Sequence, residues 1–175
     1  MADNYQILLA YAQENKGQLI ELAKTINSWE WSSIKPSTSK IFPLDAPDVA
    51  NMLRGACGFR TLLMRDIFSS IGVPSRIVNF YDVPFQAGHT TVELYIDNKW
   101  MWFDPTFGTF LTSVGGVAPL SISEARSNWP NVSVQQSSCP GWEGSFYELD
   151  QAKLAAYFPI DSPFLSMPLA YGNNP

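Results

Sequence analysis

Cys57, His89 and Asp104 are the residues whose types and positions could support covalent catalysis. Cys57 follows Gly55 and precedes Gly58, and apolar residues at helical spacing begin directly after it. A helix N-terminus favours a thiolate through its free N–H groups and its dipole, and the N–H of Cys57 could donate to an oxyanion. The pattern predicts a nucleophile, although a buried cysteine acting as a small apolar side chain fits an isolated G-x-C-G equally well.

His89 is the one histidine in the chain, so a cysteine–histidine mechanism would have to use it as the base. A histidine at a strand edge more often has a structural role when no other signal accompanies it. The hypothesis therefore depends on whether His89 lies beside Cys57.

Asp104 is placed by the geometry of a predicted hairpin. If Asp97 and Asn98 form a two-residue turn, Thr91 pairs with Asp104, and Asp104 then shares one face of the sheet with His89. Their backbone positions lie on a diagonal of at most about 7 to 8 Å, which an imidazole and a carboxylate can bridge. A three-residue loop without a bulge would put Asp104 on the opposite face, and an aspartate before a proline can also simply end a strand.

The elements that must position these residues follow from the hydrophobic spacing. A buried helix is predicted to begin near Cys57 and to stop at Gly72, and it carries Phe59, Leu63 and Ile67 at four-residue steps. Three strand-like runs follow, at residues 76–81, 90–96 and 100–103. The pattern predicts an α+β fold in which this helix packs on an antiparallel sheet.

The flanking segments give weaker signals. Residues 5 to about 26 are predicted to form one long helix or two short ones, with a possible break at Gly17. A short helix capped by Asp45 precedes the nucleophile helix. The other expectations are a loop at 29–42, a short helix with Ser121 and Glu124 at capping-box spacing, and a helix from 148 to about 157.

Composition and net charge limit the classes of function that the sequence could have. With 175 residues and 46% hydrophobic side chains, residues 1–175 are expected to form a single domain. A net charge of −5 argues against nucleic acid and anionic membranes as partners. No membrane span or signal peptide is recognised, so a cytoplasmic location is expected. The two cysteines, Cys57 and Cys139, form neither a disulfide framework nor a zinc pattern, and no metal is expected.

Two motifs resemble those of the transglutaminase-like, papain-related superfamily. One is G-A-C-G-F-R-T-L-L-M-R-D-I-F-S-S-I-G-V-P-S-R, which starts at Gly55. The other is G-H-T-T-V-E-L-Y-I-D-N-K-W-M-W-F-D-P-T, which starts at Gly88. The resemblance covers about residues 45–107 and implies a papain-like fold with Cys57, His89 and Asp104 as a catalytic triad. It also implies a second oxyanion donor upstream, for which Trp31 and Trp29 are candidates. The residues after the histidine, Thr-Thr, depart from the small residue and Trp of many relatives.

The activity that this resemblance implies is cysteine-dependent acyl transfer through a thioester, without a cofactor. Hydrolysis of a peptide, amide or isopeptide bond in a peptide or protein substrate is favoured over transfer to an amine acceptor, because no calcium-loop spacing or appended domain is recognised. The alternative class is a catalytically silent transglutaminase-like module that binds peptides.

Overall fold

The computed structural model describes residues 3–37, 43–81, 88–128, 131–136 and 169–171. Cys139 and the helix predicted from 148 to about 157 lie outside these ranges. Five helices are described: α1 (Asn4–Asn15), α2 (Leu19–Ser33), α3 (Ala46–Met52), α4 (Cys57–Ser70) and α5 (Ile122–Asn128). The strands are β1 (Ser75–Tyr81), β2 (Gly88–Ile96), β3 (Lys99–Asp104), β4 (Thr109–Ser113), β5 (Val132–Gln136) and β6 (Leu169–Tyr171).

The N-terminal segment forms two helices separated by a short break that includes Gly17. The predicted loop at 29–42 is wrong over its first five residues, because α2 continues to Ser33. A serine-rich composition favours a loop, but the Ser32 hydroxyl donates to the carbonyl of Ser28 one turn earlier, at 2.9 Å. Trp29 also packs against the helical core, so tertiary contacts support this last turn.

The short helix α3 and the nucleophile helix α4 begin as predicted. The Asp45 carboxylate accepts a hydrogen bond from the N–H of Asp48 at 2.9 Å and caps α3. Helix α4 begins at Cys57 and ends before Gly72, whose φ of 78° suits glycine. The buried side chains of α4 include Arg60 and Met64, which lie beside the predicted apolar stripe. The buried face of the helix is therefore shifted from the predicted one toward these two residues.

The six strands form one antiparallel sheet in the order β5-β4-β3-β2-β1-β6. The predicted two-residue turn is confirmed: Ile96 pairs with Lys99, and Asp97 and Asn98 have φ values of 51° and 62°. In this register Phe103 pairs with Val92, so Asp104, the last residue of β3, comes directly after the partner of Val92 and opposite Thr91.

Both faces of the sheet carry a core. Helices α1 to α4 pack on one face through buried residues such as Leu63 and Ile67 of α4 and Val92 and Leu94 of β2. On the other face, α5 packs over Trp102. The α+β class with a helix on an antiparallel sheet is therefore confirmed. Among the described residues, no helix has both the length and the apolar character needed to span a membrane.

Candidate active site

The three residues of the predicted triad come from three different elements and meet at one end of the sheet. Cys57 is the first residue of α4 and is half-buried. His89 is the second residue of β2, and Asp104 ends β3. The exposed fractions of His89 and Asp104 are only 2% and 3%, so their electrostatic interaction is poorly screened by water.

The carboxylate of Asp104 contacts His89 through one oxygen and its own turn through the other. His89 Nε2 lies 2.7 Å from Asp104 Oδ2. The main-chain N–H groups of Thr106 and Phe107 donate to Oδ1 at 2.9 and 3.4 Å. The turn therefore orients the carboxylate, and the carboxylate orients the imidazole.

Aromatic rings on two sides restrict the imidazole further. The ring of Phe80 lies parallel to that of His89 within 20°, with their centroids 6.5 Å apart. The ring of Phe107 is tilted by 55° at 5.5 Å. These contacts reduce the rotamers open to His89 and exclude water from its faces.

The Cys57 thiol is close enough to His89 for the imidazole to influence its pKa. Burial raises the pKa of Cys57, but the hydrogen bond and charge of His89, together with a main-chain hydrogen bond from Thr90, outweigh it, and the pKa is lowered. The Thr61 hydroxyl of α4 donates to the carbonyl of Thr90 at 3.1 Å, which ties the helix to this strand.

Burial alone would lower the pKa of His89, because it disfavours the imidazolium. The charge and hydrogen bond of Asp104, with a smaller contribution from Cys57, overcome this and raise the pKa of His89 to about 10. Both shifts favour the charged pair, a thiolate beside an imidazolium. Such a pair can attack a carbonyl carbon and protonate a leaving group.

The two tryptophan candidates have different surroundings. Trp29 packs against the helical core. Trp31 covers Gly108, where φ is 63° and an added Cβ would lie 2.9 Å from the Trp31 side chain. The Nε1 atom of Trp31 is buried and has no hydrogen-bond partner within the described ranges. Trp31 thus lies beside the segment that follows Asp104. Its indole N–H is a donor that has no acceptor among the described residues.

The burial of two charged residues near this site was not predicted. Arg60 of α4 and Glu30 of α2 both have no exposed surface. Burial raises the pKa of Glu30 well above its ordinary value, and the charge of Arg60 acts in the opposite direction. The available signal was the four-residue spacing from Arg60 to Met64 and Phe68, which puts the arginine on the buried face of the helix.

A cavity of about 350 Å³ lies away from the three residues. It is lined by side chains toward the C-terminal half of α4 and by the turn into β1, among them Arg65, Asp66, Ser69 and Pro74. It therefore adds nothing to the groups around Cys57. In the part of the chain described here, no three His, Cys, Asp or Glu residues are gathered so that they could hold a metal ion.

Comparisons with known proteins agree with this architecture. The sequence profile of the transglutaminase-like superfamily matches residues 8–105, more than half of the chain. A candidate cysteine protease from Cytophaga hutchinsonii shares the fold, with 17% identity and a TM-score of 0.50 over 77% of this chain and 48% of its own. Calcium-bound LapG from Legionella pneumophila aligns with 11% identity and a TM-score of 0.49, over 77% of this chain and 75% of its own. The chain spans about half the length of the Cytophaga protein. No curated protein sequence gives a match.

Proposed function

The chain belongs to the transglutaminase-like superfamily, and from this premise we propose that it is a cysteine-dependent enzyme that cleaves a peptide, amide or isopeptide bond. The observation that carries the proposal is the contact between His89 and Asp104, 2.7 Å long, beside a thiol whose pKa the imidazole lowers. A buried cysteine with only a packing role would need neither a lowered pKa nor an imidazole held by a carboxylate.

In the proposed reaction, the Cys57 thiolate forms a bond to the substrate carbonyl carbon and gives a tetrahedral oxyanion. The bond from carbon to nitrogen then breaks, and the amine leaves with the proton that the His89 imidazolium delivers. The product on the enzyme is a thioester. Water attacks it while neutral His89 accepts a proton, and cleavage of the bond from carbon to sulfur regenerates the thiolate, the imidazolium and a free carboxylic acid.

The oxyanion requires hydrogen-bond donors that point at it before it forms. The main-chain N–H of Cys57 is at the start of α4, where helix geometry provides no internal acceptor for it. We propose Trp31 Nε1 as the second donor, supported by its burial without a partner among the described residues. Trp29 is less suitable because it packs into the helical core.

The test is turnover by the full chain on a panel of peptide amides, esters and isopeptides, with and without an added primary amine. We expect hydrolysis that disappears in both Cys57→Ala and Cys57→Ser. A loss on the order of 10² to 10⁴-fold is expected in His89→Ala. Product containing the added amine would identify an acyltransferase instead.

A cysteine-alkylating reagent provides the control that does not need the right substrate. With iodoacetamide near neutral pH, we expect Cys57 to be labelled faster than Cys139, and His89→Ala to remove the difference. Equal, slow labelling of both cysteines together with no turnover on the panel would favour the catalytically silent peptide-binding alternative.

A further inference from the structure

Arg60 lies in the first turn of α4, three residues after Cys57, and its side chain is completely buried. Burial of a guanidinium is unfavourable unless its donors are satisfied and its charge is compensated. The groups that it contacts therefore indicate what the buried charge stabilises.

The guanidinium of Arg60 donates to at least four main-chain carbonyl oxygens. Nε donates to Gly55 at 3.2 Å, and Nη1 donates to Glu30 at 2.9 Å and to Pro105 at 3.3 Å. Nη2 donates to Ile34. These carbonyls belong to three separate segments: the C-terminal end of α2, the entry to α4 and the turn after β3. One planar group thus joins the segment that precedes Cys57, the proposed nucleophile, to the turn that follows Asp104, the residue in contact with His89.

The C-terminal end of α2 also explains how a cation can be tolerated at this position. Ile34 is the residue that caps α2, and Glu30 lies one turn earlier. Carbonyls at a helix C-terminus lack partners within the helix and carry partial negative charge, which favours a nearby cation. The same end of α2 is tied to the entry of α4, because Lys35 N donates to Leu53 and Gly55 N donates to Lys35, at 2.8 and 2.9 Å.

We propose that Arg60 is a positioning residue, which fixes the start of α4 relative to the turn after Asp104 and so keeps the Cys57 thiol aligned with His89. This proposal rests on the proposed function of the same site. The arginine acts through the main chain of Gly55 and Pro105. Because displacement of reacting groups by about 1 Å can cost on the order of 100-fold in rate, loss of this link should affect chemistry more than substrate binding.

The experiment compares Arg60→Lys and Arg60→Gln with Ile67→Ala, a control in which a different buried side chain of α4 is shortened. Lysine keeps a positive charge but lacks the planar fork that reaches several carbonyls. Circular dichroism first identifies a temperature at which all variants are folded. At that temperature we measure kcat and KM on an active substrate, and the rate of Cys57 alkylation by iodoacetamide against pH.

For Arg60→Lys we expect kcat to fall by about 10 to 100-fold with little change in KM. The alkylation profile of Cys57 should shift toward higher pH, because the thiol loses its contact with the imidazolium. Ile67→Ala should lower the melting temperature and leave kcat and the alkylation profile near those of the wild type. If Arg60→Lys behaves like Ile67→Ala, Arg60 has a purely structural role and the proposal is wrong.

Two provisions keep the test decisive. If the wild type shows no turnover that depends on Cys57, the proposed function fails, but the alkylation profiles still decide the role of Arg60. If neither Arg60 variant folds, ¹⁵N NMR of the wild type replaces them. A guanidinium held by several carbonyls should give separate, slowly exchanging Nη signals for Arg60, whereas a single averaged signal would overturn the proposal.

Discussion

At the residue scale, Asp104 makes contacts that fit both of the roles that its position in the sequence left open. Its Oδ2 faces His89, and its Oδ1 accepts two main-chain hydrogen bonds from the turn that follows β3. The two roles are not alternatives, because the turn that ends the strand is what aims the carboxylate at the imidazole. A substitution can therefore separate the two roles only if it keeps the oxygen that accepts from the turn and changes the one that faces His89.

Asp104→Asn is such a substitution. Its amide oxygen can still accept from the turn, so we expect a small change in melting temperature. Loss of the negative charge removes the main influence that favours imidazolium, and kcat should fall by about 10 to 100-fold. Specific activity and thermal unfolding measured on the same preparation check this. Full specific activity with a lowered melting temperature would remove Asp104 from the catalytic residues.

The pH dependence of amide cleavage follows from the two shifted pKa values. The active pair, thiolate and imidazolium, forms above the lowered pKa of Cys57 and is lost above the pKa of His89, about 10. We expect kcat/KM to rise below the ordinary pKa of a thiol and to decline only near pH 10. In Asp104→Asn the decline should move to lower pH, because the carboxylate no longer raises the pKa of His89. An unchanged alkaline limb would contradict this assignment.

At the element scale, the close contact between α2 and the segment after β3 depends on Gly108. Its φ is 63°, and the Trp31 side chain occupies the space where a Cβ would lie. Trp31 can approach the main chain this closely only because the glycine has no side chain.

Gly108→Ala should therefore be strongly destabilising, and Gly72→Ala provides its control. Gly72 has a similar φ of 78°, but an added Cβ there meets no atom within 4 Å. Backbone strain should cost each variant about 1 to 2 kcal/mol of unfolding free energy. Gly108→Ala should lose about 1 to 3 kcal/mol more through overpacking against Trp31. Urea denaturation measures both values. Equal losses of unfolding free energy would show that the Trp31 side chain moves aside without a measurable free-energy cost.

Some features of the helices and strands could be predicted from the sequence, and others could not. The hairpin was predictable because Asp97 and Asn98 favour positive φ, and this local geometry sets the register that aligns Asp104 with His89. The capped start of α3 and the position of α4 were local signals of the same kind. The extension of α2 through Ser33 and the burial of Arg60 were missed, because both depend on partners distant in sequence.

At the scale of the whole molecule, one buried side chain joins the sheet to α5. The Glu93 carboxylate has no exposed surface and lies 2.6 Å from Arg76 Nη2, while its other oxygen accepts from the N–H of Ile122 at 2.8 Å. Ile122 is the first residue of α5. Glu93 thus joins α5 to the sheet, whose other face carries the core that includes α4.

This coupling leads to a prediction about the domain count, which remains an expectation. Helices α4 and α5 should lose hydrogen-exchange protection in one transition with a common midpoint in urea. Glu93→Gln should lower that midpoint for both, because the amide cannot pair with Arg76 as a carboxylate does. The expected cost is about 1 to 3 kcal/mol. Loss of protection in α5 well before α4 would indicate two independent units.

The separation of Cys57 and His89 on different elements has a consequence for the life of the chain before it is folded. The lowered pKa of Cys57 is produced by contacts with β2, which is synthesised later and must dock against α4 through Thr61 and Thr90. Until then Cys57 is an ordinary thiol, mostly protonated at neutral pH and slow to react with oxidants or electrophiles. We therefore expect the reactivity of Cys57 to arise only with the assembled tertiary structure.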